Sequence, residues 1–191
     1  KDNKIILPAE ERKFAFVFQD FTLFPHLNVY KNIVIGLDHV KKSEQRLIAE
    51  ELLELFEISH LKNRSIDSLS GGEQQRVAIA SSLAIKPGIL MLDEPFSNID
   101  RKMKEYLYSR LHEILKRYKI TTILATHDHG EAFYLSDHIY VLRDGKIMDN
   151  NSPGVLYMKP GNPWVASFIG DVNYLTGNEL KTFFKIQSDS L

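Results

Sequence analysis

The sequence contains no cysteine. Disulfide bonds and thiolate metal sites are therefore excluded, and this composition is typical of a protein in a reducing compartment. No apolar run approaches the roughly 20 residues that a membrane-spanning helix requires, and no signal peptide is recognisable. The formal net charge is only −1, so charge does not favour nucleic acid or a membrane surface as a direct partner.

The composition is otherwise that of an ordinary globular protein. Of the 191 residues, 43% are hydrophobic and 26% are charged. This length is enough for one domain with a core, or for one domain and part of another. The chain begins with Lys1 rather than methionine and closes with a strand-like run at 183–186 and a polar tail. We therefore expect both ends to be incomplete relative to the natural gene product.

Segments with strand and helix patterns alternate along the chain. Apolar or β-branched runs predict strands, and apolar residues about one turn apart predict helices. The predicted strands are 15–18, 89–92 and 121–125, the predicted helices are 43–56, 72–85, 101–118 and 131–135, and Asp144-Gly145 predicts a hairpin of 139–142 with 146–148. This alternation predicts an α/β fold with a mainly parallel sheet and flanking helices, in which 89–92 is a central strand covered on both faces.

The most informative run in the sequence is Leu-Ser-Gly-Gly-Glu-Gln-Gln-Arg at 69–76. Ser70 and Glu73 alone form a capping box, which predicts only a well-capped helix. The glycines between them, Gly71 and Gly72, lower helix stability but let backbone amides at the helix N-terminus approach an anion closely. Together with Gln74, these residues predict a phosphate-binding site.

An acidic pair follows the predicted strand 89–92. Asp93 can hold Mg²⁺, and Glu94, which points differently, can polarise a water for in-line attack. An acidic pair at the start of a loop is also common without any function. The carboxyl end of a strand, however, is where α/β sheets place catalytic groups, so we predict a catalytic role for both residues.

Polar residues also follow the two other predicted strands. His127 comes after 121–125 and is expected beside the acidic pair, where an imidazole can contact a γ-phosphate. Gln19 comes after 15–18, and its amide can reach Mg²⁺ or the attacking water. Asp100 precedes the long predicted helix and is expected to cap it, alongside a role at a subunit contact.

Taken together, these residues resemble the ATP-binding subunit of an ABC transporter. The resemblance covers about 12–175 and implies that Gln19 is the Q-loop glutamine and that Ser70, Gly71 and Gly72 belong to the signature motif. It further implies the following roles: Asp93 is the Walker B aspartate, Glu94 the catalytic glutamate, Asp100 the D-loop aspartate and His127 the switch histidine. It implies ATP and Mg²⁺ as cofactors, and a head-to-tail dimer, of two copies or of paired ATPase subunits, in which Ser70 and Gly72 act on the partner's nucleotide.

The spacing of the motifs resembles importers. Between Gln19 and Ser70 there is room only for a small helical subdomain, expected at about 25–86, whereas related chromosome-maintenance ATPases carry a long coiled coil there. The segment 21–37, with exposed aromatics, is similar to the region that receives a membrane permease, although such a loop can also fold onto its own core. The segment 162–170 resembles the linker into the regulatory domain of importer ATPases for ferric iron, polyamines, sulfate, molybdate and sugars.

The resemblance therefore implies a P-loop NTPase fold with an ATPase domain at 1–160 and, at 161–191, a linker and the start of a truncated regulatory domain. It implies a peripheral protein at the cytoplasmic face of the inner or plasma membrane. It also implies a permease and, indirectly, a periplasmic or extracellular solute-binding protein as partners, with ferric iron as the favoured solute and no nucleic acid.

One departure from the family is that the P-loop, G-x-x-x-x-G-K followed by serine or threonine, is absent from the sequence. The Gly145-Lys146 pair lies in the predicted hairpin and has no hydroxyl residue after it. We therefore expect the fold to be incomplete at its N-terminus and this chain alone to bind ATP poorly. Two alternatives stay open: an interaction module that lends its signature motif to a partner ATPase, and a soluble ABC ATPase of translation or DNA metabolism.

Overall fold

The computed structural model of the chain describes residues 12–172. The chain divides into two compact units, and the boundary lies after Leu135. The expected regulatory domain lies for the most part outside the described residues, as does the strand-like run at 183–186. Among residues 12–172, no helix is long and apolar enough to cross a bilayer.

The first unit is built on a parallel sheet. In the described part of the chain, strands β1 (Phe14–Val17), β2 (Ile89–Asp93) and β3 (Thr121–Ala125) are ordered β1-β2-β3, with β2 in the centre. The register sets Val17 opposite Leu92 and Leu92 opposite Leu124, so the strands end together at one edge. The predicted α/β fold with a parallel sheet is confirmed, with β1 shifted by one residue from its expected position.

The expectation that β2 is covered on both faces is wrong for the described residues. Leu90 and Leu92 are fully buried, whereas Ile89 is 43% exposed and Met91 is half-buried. Side chains alternate between the two faces of a strand, so this pattern means that one face packs on the core and the other is open. A run of four apolar residues does not distinguish these two situations.

Helices cover the packed face of the sheet and form the adjoining helical part. Their bounds are α1 Val29–Val34, α2 Lys42–Leu55, α3 Gly71–Ala84, α4 Arg101–Arg117 and α5 His129–Leu135, with short 3₁₀ turns at Ile35–Leu37, Ser59–Leu61 and Ile66–Ser68. Helix α3 packs against α1, α2 and β1. Its alanines and serines allow this close packing, and Val77, Ile79 and Leu83 are all buried. Helix α3 is therefore held by contacts with several other elements.

The second unit begins with the predicted hairpin. Strands β4 (Ile139–Arg143) and β5 (Lys146–Asn151) pair in antiparallel fashion around Asp144 and Gly145, whose φ angles of 49° and 73° suit a tight hairpin turn. Helices α6 (Pro153–Met158) and α7 (Pro163–Ile169) follow. The hairpin is confirmed.

Candidate functional site

The carboxyl edge of the parallel sheet collects the predicted catalytic residues. Asp93 is the last residue of β2, Glu94 follows it directly, and His127 lies two residues beyond β3. Gln19 lies two residues beyond β1 and is exposed. The parallel register thus brings all four positions to one edge, as the sequence predicted.

Glu94 and His127 form a close pair at this edge. Oε1 of Glu94 lies 2.8 Å from Nδ1 of His127 and accepts the backbone N–H of His127 at 3.1 Å. The backbone of Glu94 has a φ of 48°, the left-handed region that non-glycine residues rarely adopt. Its N–H donates to the carbonyl of Ala125 at 2.9 Å, which extends the β2–β3 ladder by one residue. The backbone of Glu94 is therefore bonded to β3, and its carboxylate to the residue His127 that follows this strand.

The hydrogen bond with Glu94, and then the attraction of its charge, raise the pKa of His127 above its ordinary value of 6.5. Because the folded pKa is raised, this interaction contributes fully to stability below pH 6.5 and is lost as the pH rises through the folded pKa. We expect Glu94→Gln to lower the pKa of His127 towards 6.5, as measured by NMR titration of the imidazole ring protons. In Glu105→Gln, which changes an exposed carboxylate on α4, the titration should match the wild type. An unchanged pKa in Glu94→Gln would contradict the pairing.

The N-terminus of α3 opens into a groove. An open space of about 490 Å³ is lined by Ser70, Gly71, Gly72, Glu73, Arg76, Asn98, Ile99 and Asp100. The predicted capping box is present: the hydroxyl of Ser70 accepts from the N–H of Glu73, and the Glu73 carboxylate accepts from the Ser70 N–H at 2.8 Å. The N–H groups of Ser70 and Glu73 are thereby satisfied, and the hydrogen bond from the Ser70 N–H, followed by that from its hydroxyl, lowers the pKa of Glu73.

The two glycines of this groove differ in their surroundings. A Cβ atom on Gly71 would meet only Cβ of Asn98, at 3.9 Å, so the space in front of Gly71 stays open. A Cβ atom on Gly72 would come to 2.9 Å from the carbonyl oxygen of Asn98, which is closer than side chains tolerate. Gly72 is thus required for packing as well as for access, a reason that the sequence alone did not reveal.

This difference predicts opposite effects on stability. Gly72→Ala should lower the free energy of unfolding by about 1–3 kcal/mol because the backbone at Asn98 must shift. Gly71→Ala should leave it unchanged or raise it by up to about 1 kcal/mol, since alanine favours the helix. Urea unfolding of the two variants measures both changes. Equal losses of stability would contradict the assigned packing.

The other predicted ligands have local partners. Asp100 lines the groove and caps α4, accepting from the N–H of Met103 at 3.1 Å, so the expected cap is present. Gln74 is not among the lining residues: its side-chain amide donates to the carbonyls of Ile66 and Leu69 at 3.2 Å and 3.3 Å. The structure therefore brings Ser70, both glycines and Asp100 together and places the Gln74 amide elsewhere.

The segment 21–37 is shaped by one buried amide. Asn32, on α1, is 1% exposed; its Oδ1 accepts from the N–H of Phe24 at 2.8 Å, and its Nδ2 donates to the carbonyl of Phe24 at 3.1 Å. Nδ2 also donates to the carbonyls of Leu27 and Asn28. These bonds fix a tight loop whose tip, at 24–26, is exposed.

A buried polar cluster supports the loop that carries His127. Nζ of Lys104, on α4, lies 3.1 Å from Asp128 Oδ2 and 3.3 Å from Glu131 Oε1. The side chain of Glu131 is only 1% exposed, and its other oxygen accepts from the hydroxyl of Thr126 at 2.6 Å. The residues on both sides of His127 are thus fixed to α4 and α5.

The sequence did not point to several of these residues. Gln75, Lys104 and Glu131 are buried or partly buried polar groups with long-range partners. Asn32 is buried too, and its side-chain partners are backbone groups four to eight residues away in the same loop. Gln75 lies within the informative run 69–76, and a glutamine flanked by the apolar positions of a buried helix was a usable signal. The other three carry no local signal, because their partners are distant in sequence or belong to an irregular loop.

Oxygen ligands for a cation are limited. Among residues 12–172 there is no group of three or more histidine, aspartate or glutamate side chains that could hold a metal ion. Asp93 and Gln19 supply one carboxylate and one amide at the sheet edge. Mg²⁺ commonly binds through one or two protein ligands together with water and phosphate oxygens, so this donor set fits a metal that arrives with a nucleotide.

A sequence model described as ABC transporter matches residues 2–97. The chain is 41% identical over 182 residues to the Fe(3+) ions import ATP-binding protein FbpC of Fusobacterium nucleatum, covering 94% of this chain and 49% of that protein. It is 43% identical over 180 residues to the spermidine/putrescine import ATP-binding protein PotA of Desulfitobacterium hafniense, covering 93% of this chain and 51% of that protein. The chain thus spans about half the length of the curated relatives it matches.

Solved structures of ATP-binding cassettes are similar in fold. The dimeric, post-hydrolysis state of the cassette MJ0796 bound to ADP and Pi has a TM-score of 0.69 at 32% identity, covering 75% of this chain and 65% of that chain. The cbiO1 protein from Clostridium perfringens, part of the transporter complex cbiONQ, has a TM-score of 0.67 at 31% identity, covering 78% and 60%.

Proposed function

Because the chain belongs to the ABC transporter family, we propose that it is the ATP-hydrolysing subunit of an importer that drives a solute through a membrane permease. The observation that carries this proposal is the separation of two half-sites on one chain. The groove at the N-terminus of α3 fits a phosphate, and the Glu94–His127 pair lies at the sheet edge. In a head-to-tail dimer, the groove of one subunit faces the nucleotide of the other.

The groove suits phosphate for two reasons. The open space in front of Gly71 lets an anion approach the backbone amides at the start of a 14-residue helix, where the helix dipole favours negative charge. Ser70 also lines the groove, where its hydroxyl donates to the Glu73 carboxylate at 2.8 Å. Gly72 is needed for packing against Asn98, and Asp100 also lines the groove.

At the sheet edge each residue has a distinct task. Asp93 and Gln19 would hold the Mg²⁺ that accompanies ATP, which neutralises charge developing on the phosphates. Glu94 accepts a hydrogen bond from the attacking water and takes its proton. His127 holds the Glu94 carboxylate through Nδ1, which leaves its other ring nitrogen for a phosphate oxygen.

The partner in the membrane is proposed to dock on the segment 21–37. Its exposed tip at Phe24, Pro25 and His26 presents two aromatic rings, and Phe24 is 44% exposed. The Asn32 bonds make this tip a rigid surface rather than a mobile loop. The protein would then lie on the cytoplasmic face of the membrane as a peripheral subunit, with a solute-binding protein on the other side.

Ferric iron is the proposed solute. The relatives named above support iron or polyamine import, and no residue of this chain is proposed to touch the solute. The test is uptake of radiolabelled ferric iron, spermidine and sulfate by cells in which the gene is deleted or replaced by Glu94→Gln. Both strains are expected to lose uptake of ferric iron and to keep uptake of spermidine and sulfate. Unchanged uptake of every solute in both strains would overturn the proposed importer function. Loss of spermidine uptake instead would reassign the solute from ferric iron to a polyamine.

A further inference from the structure

The two half-sites of the chain are joined by one buried side chain. Gln75 lies in the first turns of α3, between the groove residues Glu73 and Arg76, and is completely buried. The loop that runs from Glu94 to Asp100 passes beside it. One end of this loop carries the carboxylate of the sheet edge, and the other end lines the groove.

The nitrogen and the oxygen of the Gln75 side-chain amide both hydrogen-bond to this loop. Nε2 donates to the carbonyl of Glu94 at 3.0 Å, and Oε1 accepts from the N–H of Asn98 at 3.3 Å. Nε2 also lies 3.5 Å from the hydroxyl of Ser97. A single side chain thus spans the loop from one half-site to the other, with no hydrogen-bonding atom left over for solvent.

Each of these contacts lies next to a feature that the proposed chemistry needs. The backbone of Glu94 is in the left-handed region, which a non-glycine residue keeps only when its surroundings hold it there. The carbonyl of Ala125 accepts its N–H, and its own carbonyl accepts both from Gln75 and from the N–H of Ser97 at 3.2 Å. At the other end, the carbonyl of Asn98 is the atom that Gly72 approaches so closely.

From this geometry we infer that Gln75 is a positioning residue that couples the groove of α3 to the Glu94 carboxylate. The inference rests on the proposed function. A phosphate bound in the groove belongs to the partner's nucleotide, whereas Glu94 acts on the chain's own nucleotide. A small shift of α3 when the groove fills is transmitted through the Gln75 amide to the Glu94 backbone. Each chain therefore links the two nucleotide sites of the dimer.

Two substitutions separate this role from simple packing. Gln75→Met keeps the length of the side chain and removes both hydrogen bonds. Gln75→Glu keeps the acceptor for the N–H of Asn98 but places a carboxylate oxygen against the carbonyl of Glu94. The control is Gln45→Met on α2, because the Gln45 amide likewise donates to two backbone carbonyls, those of Leu37 and Val40.

The first readout does not depend on ATP. Amide hydrogen exchange of the protein expressed from its natural gene should show the N–H of Asn98 exchanging about tenfold faster in Gln75→Met, with wild-type protection in Gln75→Glu. Gln45→Met should leave this amide unchanged. Equal protection in Gln75→Met and wild type overturns the inference, because the loop would then be held without the glutamine.

The second readout is ATP hydrolysis. We expect both Gln75 variants to lower kcat about tenfold or more with KM for ATP within about twofold, and to lower the Hill coefficient towards 1. Gln45→Met should keep wild-type values. If kcat falls only in proportion to the fraction of the variant protein that is folded, the coupling is overturned. A wild-type protein without any ATPase activity overturns the proposed function and the coupling with it, while the exchange of Asn98 still decides whether Gln75 holds the loop.

Discussion

Replacing Glu94 with glutamine is expected to lower the rate of ATP hydrolysis by about 10²–10⁴-fold, the usual contribution of a general base. Glutamine has the size of glutamate and retains an oxygen for the His127 contacts, but it cannot take a proton from water. Binding should be preserved, because the groove residues are untouched. The variant should therefore accumulate as an ATP-bound dimer.

Two measurements on the protein expressed from its natural gene check this prediction. Steady-state phosphate release gives the rate, and size-exclusion chromatography with ATP gives the dimer. Glu105→Gln is the control: it makes the same chemical change on α4, where the carboxylate is 70% exposed. Turnover of Glu94→Gln at the control rate would show that another group is the base.

Much of the candidate site follows from local patterns in the sequence. The acidic pair at 93–94 and His127 were predicted at one sheet edge because parallel strands end on the same side, and the structure confirms that placement. The capping box of Ser70 and Glu73 depends on residues three apart, so it too could be derived without tertiary structure.

The unpredicted features depend on partners that are distant in sequence. Gln75 bonds to residues 94 and 98, and Lys104 bonds to residues 128 and 131, pairings that no periodicity encodes. The open face of β2 was missed for the same reason, because whether a strand is covered on one side or two is decided by what packs on it. The requirement for Gly72 likewise depends on the backbone of Asn98.

The buried cluster around Lys104 gives the prediction with the largest effect on stability. The side chain of Lys104 is 17% exposed and that of Glu131 is 1% exposed. Burial by itself would lower the pKa of Lys104, but its bonds to Asp128 and Glu131 outweigh burial and raise it, so the ammonium stays charged. Burial likewise raises the pKa of Asp128, yet the Lys104 bond and backbone N–H groups together lower it.

Lys104→Met is expected to lower the free energy of unfolding by about 3 kcal/mol or more, because it leaves the carboxylate of Glu131 buried without its cation. Lys104→Met combined with Glu131→Gln should be clearly more stable than the single variant, since the uncompensated charge is gone and the amide oxygen still accepts from Thr126. Lys102→Met, on the exposed side of the same helix, should change stability by less than about 0.5 kcal/mol.

Urea unfolding of the three variants tests this reasoning, and the difference between the single and double variants is the decisive quantity. A single variant close to wild type would mean that water or another cation reaches Glu131. A double variant as unstable as the single one would mean that lost packing of the lysine stem, rather than a buried charge, causes the effect. If the charge is the cause, the loop that carries His127 should also lose order in Lys104→Met, because its flanking residues Thr126 and Asp128 are fixed by the same cluster.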